Sequence, residues 1–136
     1  MIDLPNNIPI FPLRGALLLP TGSLPLNIFE PRYLSMVDYA LSHKKLIGMI
    51  QPKTEYSEEL YKIGCVGKIT NYSETTNNRY LINLTGISKF KIISEIKKID
   101  GFKLFNVEYK KSYSNFNRFD NKIFDKKNFI NKIKIF

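Results

Sequence analysis

IPIFPLRGALLLPTGSLPLNIFEPRYLSMVDYAL, residues 8–41, is the stretch that decides the fold. Its two parts follow different periods. Up to Phe29 it is short and apolar, and prolines punctuate it. Proline lacks an N–H and is tolerated at strand ends, edges and turns but not inside a ladder. IPIFPL (8–13) therefore reads as an edge or terminal strand, ALLLP (16–20) as a short buried strand, and SLPLNIF (23–29) as a third. From Pro31 the period becomes helical. Tyr33, Leu34, Val37, Ala40 and Leu41 fall on one stripe, with Arg32, Ser35, Asp38 and Ser42 opposite. That spacing predicts an amphipathic helix over about 31–43. Pro31 suits the first helical position, where a missing N–H loses no partner. Glu30 places a negative charge at the positive end of the helix dipole.

Beyond the helix β character returns. KLIGMIQP (45–52) reads as a buried strand stopped by Pro52, and residues 53–61 as a polar, locally acidic connection. KIGCVGKITNYSE (62–74) reads as a strand whose Gly64 and Gly67 mark bulges or close backbone approach. Asn77 and Asn78 tolerate positive φ and supply a hairpin turn. Residues 79–96 read as two strands joined at Gly86, and 102–113 as the last strand. The fold class is mainly β with α: a small antiparallel barrel with one helix across it. A second helix is expected over about 116–136. Phe116, Phe119, Ile123, Phe129, Ile130 and Ile133 gather on one of its faces. That face needs a partner. Phe119, Ile123, Ile130 and Ile133 are the candidate association face: the helix is expected to pack on the barrel, to pair with another chain as a homo-oligomer, or to be covered by the remainder of a longer protein.

Composition narrows the function. The 136 residues suit one domain. No apolar run is long enough to span a bilayer, and the N-terminus lacks the pattern of a secretory signal. One cysteine, Cys65, forms no internal disulfide and fits a cytoplasmic location. One histidine and one cysteine fall short of a zinc site of the usual Cys/His type. Phosphate-loop, dinucleotide, metalloprotease and nucleophile-elbow motifs are missing. No catalytic, cofactor-binding or metal-ligating residue is assigned, and the chain is not expected to be an enzyme. The net charge of +9 invites a nucleic-acid reading. However, 17 of the 21 cations are lysine, and the chain is also rich in isoleucine and asparagine, a pattern that AT-rich codon usage produces. Specific base and phosphate contacts favour arginine, so nucleic acid is not the preferred partner.

The same residues resemble the N-terminal domain of Lon proteases. Pro9-Ile10-Phe11-Pro12-Leu13, Leu19-Pro20-Thr21-Gly22 and Leu24 to Tyr33 stand where that family has PLFPL, LFPG and LPL.IFE.RY. Ile47-Gly48-Met49, residues 60–69 and residues 79–92 look like the next family segments in order. Thr21 is inserted before Gly22, Asn77-Asn78 replace a frequent Asp-Gly, and Lys89 stands where arginine is usual. The resemblance covers about residues 8–110. It implies a six-stranded PUA-like barrel over residues 1–113, followed by the start of a helical segment over 114–136. It also implies a non-catalytic module that recognises unfolded or exposed apolar polypeptide segments, with a protease or ATPase as associated partner. The ATPase loop and Ser–Lys dyad of full Lon proteases are absent from this chain. A stand-alone protein and an N-terminal piece of a longer one both fit. RNA binding through a basic PUA-like barrel is the alternative.

Within the family motif, Phe29, Glu30, Arg32 and Tyr33 are the candidate site residues, as a binding surface or as a strand-to-helix corner. Phe29 and Tyr33 are expected to pack inward, and Glu30 and Arg32 to make a polar contact. Cys65 is expected to be a small buried hydrophobe. His43 is expected to sit at the helix end, and Glu58 and Glu59 on a solvated face.

Overall fold

Seven elements follow the chain: β1 (Asn7–Pro12), β2 (Ser23–Ile28), α1 (Pro31–Leu41), β3 (Leu46–Ile50), β4 (Ile63–Glu74), β5 (Tyr80–Ile99) and β6 (Phe102–Glu108). They belong to a computed structural model that describes residues 4–55 and 57–109. The helix expected over 116–136, the 114–136 segment and the face of Phe119, Ile123, Ile130 and Ile133 lie outside the described residues.

One sheet holds all six strands, in the order β2-β5-β4-β3-β1-β6, and β6 returns to pair with β5. The strands β5, β4, β3, β1 and β6 thus form a closed ring, with β2 attached along the first part of β5. The ring is not wholly antiparallel. β1 and β3 pair in parallel, Ile10 opposite Gly48 and Phe11 opposite Met49. Parallel neighbours need a long crossover, and β2 with α1 supplies it.

Two expected strand boundaries are corrected. The ALLLP segment is not a strand but part of a loop that the residues just after it fasten to β5. Thr21 N–H donates to the Gly86 carbonyl at 2.9 Å, Gly86 N–H donates to the Gly22 carbonyl at 2.9 Å, and Gly22 N–H donates to the Leu19 carbonyl at 2.8 Å. This loop lies so close on β5 that a Cβ at Gly86 would collide with the Leu19 carbonyl oxygen. Gly86 therefore does not divide two strands. β5 runs unbroken for 20 residues, and Gly86 marks where its register against β4 shifts at Val66/Gly67.

The helix starts with Pro31 at its first turn, as its sequence implies, but Glu30 makes no side-chain cap. Its buried residues are Tyr33, Met36, Val37 and Ala40. Met36 joins the stripe, while Leu34 and Leu41 are only partly buried. Tyr33 packs on Phe11 with ring centroids 4.4 Å apart, and Tyr39 packs on Phe102 at 5.4 Å. His43 lies just past the helix, stacked on Tyr39 at 3.8 Å, and its Nδ1 donates to the Tyr39 carbonyl at 2.7 Å.

Alternate strand residues face opposite sides of a sheet, and the core divides accordingly. One cluster unites the helix with Phe11, Leu24, Ile28, Ile47, Met49, Cys65, Leu84 and Phe102. The other draws on all five ring strands and on neither helix nor β2: Ile8, Ile10, Leu46, Ile50, Val66, Phe90, Phe105 and Val107. Phe90 is fully buried at its centre. It fits because Gly48 and Gly64 lie beside its ring. A Cβ at Gly64 would approach Phe90 to 2.7 Å.

Phe29 contradicts its expectation: it is 59% exposed. It follows β2 at the corner, and the Arg79 guanidinium lies 5.2 Å from its ring centroid. Phe90→Ala is expected to lower stability by about 3–5 kcal/mol, because a buried aromatic leaves a cavity. Phe29→Ala should change it by less than about 1 kcal/mol. Urea denaturation of the two variants checks both, and comparable losses would contradict the assignment of Phe29 to the surface.

Candidate functional site

The connection between β3 and β4 is a small pinned loop. Pro52 bridges Leu60, Lys53 N–H donates to the Glu59 carbonyl at 2.8 Å, and Tyr61 N–H donates to the Gln51 carbonyl at 3.0 Å. Surface ion pairs Lys53–Glu59 at 3.6 Å and Arg14–Glu55 at 3.7 Å flank it. The chain leaves this loop as a ridge, Tyr61-Lys62-Ile63. The Ile92 N–H fastens the ridge to β5 by donating to the Lys62 carbonyl at 2.8 Å.

A cleft opens on each side of the ridge, and both are lined by Tyr61 and Lys62. The larger, about 910 Å³, runs between the loop and the β5–β6 hairpin. Ile10, Tyr33, Leu60, Ile92, Phe102 and Phe105 supply its apolar lining. The smaller, about 520 Å³, lies between the ridge and the Ala16–Leu19 segment. Both volumes fall in the range of ligand-binding clefts. Tyr61 is 53% exposed, Ile63 44% and Ile93 45%, and all three stand at these openings. Large apolar side chains left in water beside concave apolar surface mark interaction sites.

The structure divides the family-motif residues. Arg32 and Tyr33 line the larger cleft, whereas Phe29 and Glu30 do not. The contact expected between Glu30 and Arg32 is present: Arg32 Nε donates to Glu30 Oε2 at 3.1 Å, on the surface. The Arg32 guanidinium also stands 4.8 Å from the Tyr33 ring centroid. The β5–β6 turn packs against the root of the same side chain, since a Cβ at Gly101 would meet Arg32 Cβ at 2.7 Å. Burial pushes the Tyr33 phenol up, and Arg32 opposes the shift. Tyr33 thus stays neutral and is a packing group. Glu58 lines the larger cleft, and Glu59 pairs with Lys53.

Tyr61, Ile63 and Ile93 escaped the sequence reading. A signal existed for Ile93: the doublet Ile92-Ile93 breaks strict alternation, so one isoleucine had to face outward. Among the described residues no cluster of three or more His, Cys, Asp or Glu side chains could hold a metal, and no helix is long and apolar enough to cross a membrane.

Cys65 is buried, and burial pushes its thiol up to about 12. Iodoacetamide at pH 8 should therefore alkylate the native protein at least about 100-fold more slowly than the urea-unfolded chain. A raised folded pKa contributes stability below the unfolded value of 9.0, and that stability is lost as pH rises towards 12. Equal alkylation rates would refute the burial.

Comparison with known proteins points in one direction. A family model described as the ATP-dependent protease La (LON) substrate-binding domain matches residues 7–133. The Lon protease of Dictyoglomus thermophilum is 30% identical over 105 residues, which span 74% of this chain and 13% of that protein. Lon protease 2 of Sorangium cellulosum is 28% identical over 95 residues, 65% of this chain and 12% of that protein. The chain therefore spans about an eighth of the curated relatives it matches. A Lon N-terminal domain protein from Xanthomonas campestris shares the fold, with a TM-score of 0.64 at 21% identity over 76% of this chain and 59% of that one.

Proposed function

The chain belongs to the Lon substrate-binding domain family, and we propose that it grips exposed apolar segments of other polypeptides across the Tyr61–Ile63 ridge. The observation that carries this reading is the ridge itself, with large apolar side chains half in water and a cleft with apolar lining residues on either side. An extended segment laid across it would bury its own side chains in the clefts, and the removal of apolar surface from water would drive binding. On this reading the strand ring is the PUA-like barrel of the family, and Arg32 and Tyr33 are part of the binding wall. The chain works in the cytoplasm and supplies recognition, while bond cleavage and ATP hydrolysis belong to an associated protease and ATPase. RNA binding is less well supported, because the matching family model describes a protease substrate-binding domain and 17 of the 21 cations are lysine, whereas specific phosphate and base contacts favour arginine.

The test is fluorescence anisotropy with a labelled, permanently unfolded protein such as reduced, carboxymethylated lactalbumin. Binding in the micromolar range is expected. Tyr61→Ala combined with Ile63→Ser should weaken it about tenfold or more, since each lost apolar contact contributes about 1 kcal/mol. Stability should change by less than about 1 kcal/mol, because both side chains are half exposed. Unchanged affinity in that variant would reject the site.

A further inference from the structure

The larger cleft is charged as well as apolar. Arg32, Lys62, Lys91, Lys98 and Lys103 line it, against Glu55, Glu58 and Glu95. Several of these charges are already matched. Lys103 pairs with Glu95 at 3.3 Å, Arg32 with Glu30 at 3.1 Å, and Glu55 with Arg14 at 3.7 Å. Among the described residues, Lys62, Lys91 and Lys98 have no carboxylate within ion-pairing distance. Among the described residues of the lining, Glu58 is the one anion without a cation within ion-pairing distance. The remainder is three ammonium groups to one carboxylate, around a floor of Ile10, Tyr33, Phe102 and Phe105.

The placement of these lysines is fixed by strands. Lys91 faces Ile63 across the β4–β5 ladder, beside Lys62, so two of the cations stand at the ridge. Lys98 faces Lys103 across the β5–β6 hairpin, at the far wall of the cleft. Cations therefore flank the apolar floor along the second half of β5. An apolar floor accepts hydrophobic residues of any sequence, because apolar burial is not directional. Charges at the rim are what can discriminate between segments.

Resting on the reading above, we propose that the larger cleft selects apolar segments flanked by acidic residues. The occupant is a short extended polypeptide whose aromatic or aliphatic residues fill the floor. Its aspartates or glutamates meet Lys62 and Lys91 on one side and Lys98 on the other. Segments flanked by lysine or arginine are rejected by the same three ammonium groups. The effect is a surface one and weakens with salt, since the lysines are solvated and the Debye length is about 10 Å at 0.1 M.

Three fluorescein-labelled peptides with the same apolar centre test this on the whole 136-residue chain: one flanked by aspartates, one by serines, one by lysines. The aspartate peptide should bind at least about fivefold more tightly than the serine peptide at 50 mM salt. The lysine peptide should bind more weakly than either, and the differences should shrink at 500 mM. A general attraction to a +9 protein is separated by two charge-matched variants. Lys91→Glu with Lys98→Glu should abolish the preference, whereas Lys45→Glu with Lys68→Glu, which lie outside both clefts, should keep it. Serine-peptide binding should persist in both. Equal affinities for the three peptides, or equal loss in the two variants, would overturn the acidic preference and leave apolar recognition standing. No binding of the serine peptide, even at high salt, would overturn both.

Discussion

β5 pairs with three different strands, and the rest of the structure depends on that. Its first part lies between β2 and β4, and its last part passes to β6. β2 and β6 take successive parts of one edge of β5, β4 takes the other, and through β6 the strand closes a ring. It must bend and turn its edge. The bends are visible as register shifts, at Val66/Gly67 against β4 and at Ile92/Ser94 and Glu95/Lys97 against β6. Each shift adds a residue on one side, increases local twist and re-aims the side chains that follow. Phe90 lies between the two regions of shift and fills the ring, with Gly48 and Gly64 leaving the space its ring needs.

Those bends also explain why the clefts are where they are. Past Phe90, β5 swings to β6, away from the start of β4, and the larger cleft opens beside that divergence. The Tyr61–Ile63 ridge stands where β4 begins. Ile93 and Ile96 are exposed because the bulges rotate them outward. An ordinary antiparallel pairing would have alternated them with the lysines and put one or the other in the core.

The sequence was most legible where local physics decides structure. Pro31 and the helical stripe from Tyr33 to Ala40 mark α1, and five consecutive buried residues make β3 continuous. It was least legible where a distant partner decides. ALLLP has the composition of a strand, but the residues just after it, Thr21 and Gly22, bond Gly86 and press the Leu19 carbonyl against a strand that lies far along the chain. Gly86 looked like a break and is instead the place where another backbone presses on an unbroken strand. Asn77-Asn78 looked like a two-residue primed turn. Only Asn78 has positive φ, and Thr75 N–H bonds the Arg79 carbonyl at 2.9 Å, so the loop is one residue longer. The two-residue turn with positive φ at both centres is Asp100-Gly101. It joins Ile99 to Phe102 and was an unused Asp-Gly signal.

The candidate site was only half legible for a related reason. The Phe29–Tyr33 block is contiguous in sequence, yet the corner after β2 sends its members to different surfaces. Phe29 goes to Arg79, and Tyr33 goes to Phe11 and the cleft. Nothing local foretells that separation, because Arg79 and Phe11, which Phe29 and Tyr33 meet, lie elsewhere in the chain. The ridge, conversely, is assembled from residues that are individually unremarkable, a tyrosine after an acidic loop and isoleucines on lysine-rich strands. What makes them a surface is rigidity. Tyr61 and Lys62 are held by backbone hydrogen bonds to Gln51 and Ile92, so little ordering of the protein is needed when a segment arrives. The entropy lost on binding then falls mainly on the segment. A scaffold of that kind can accept many sequences through one apolar floor and still discriminate among them by charge at its edge.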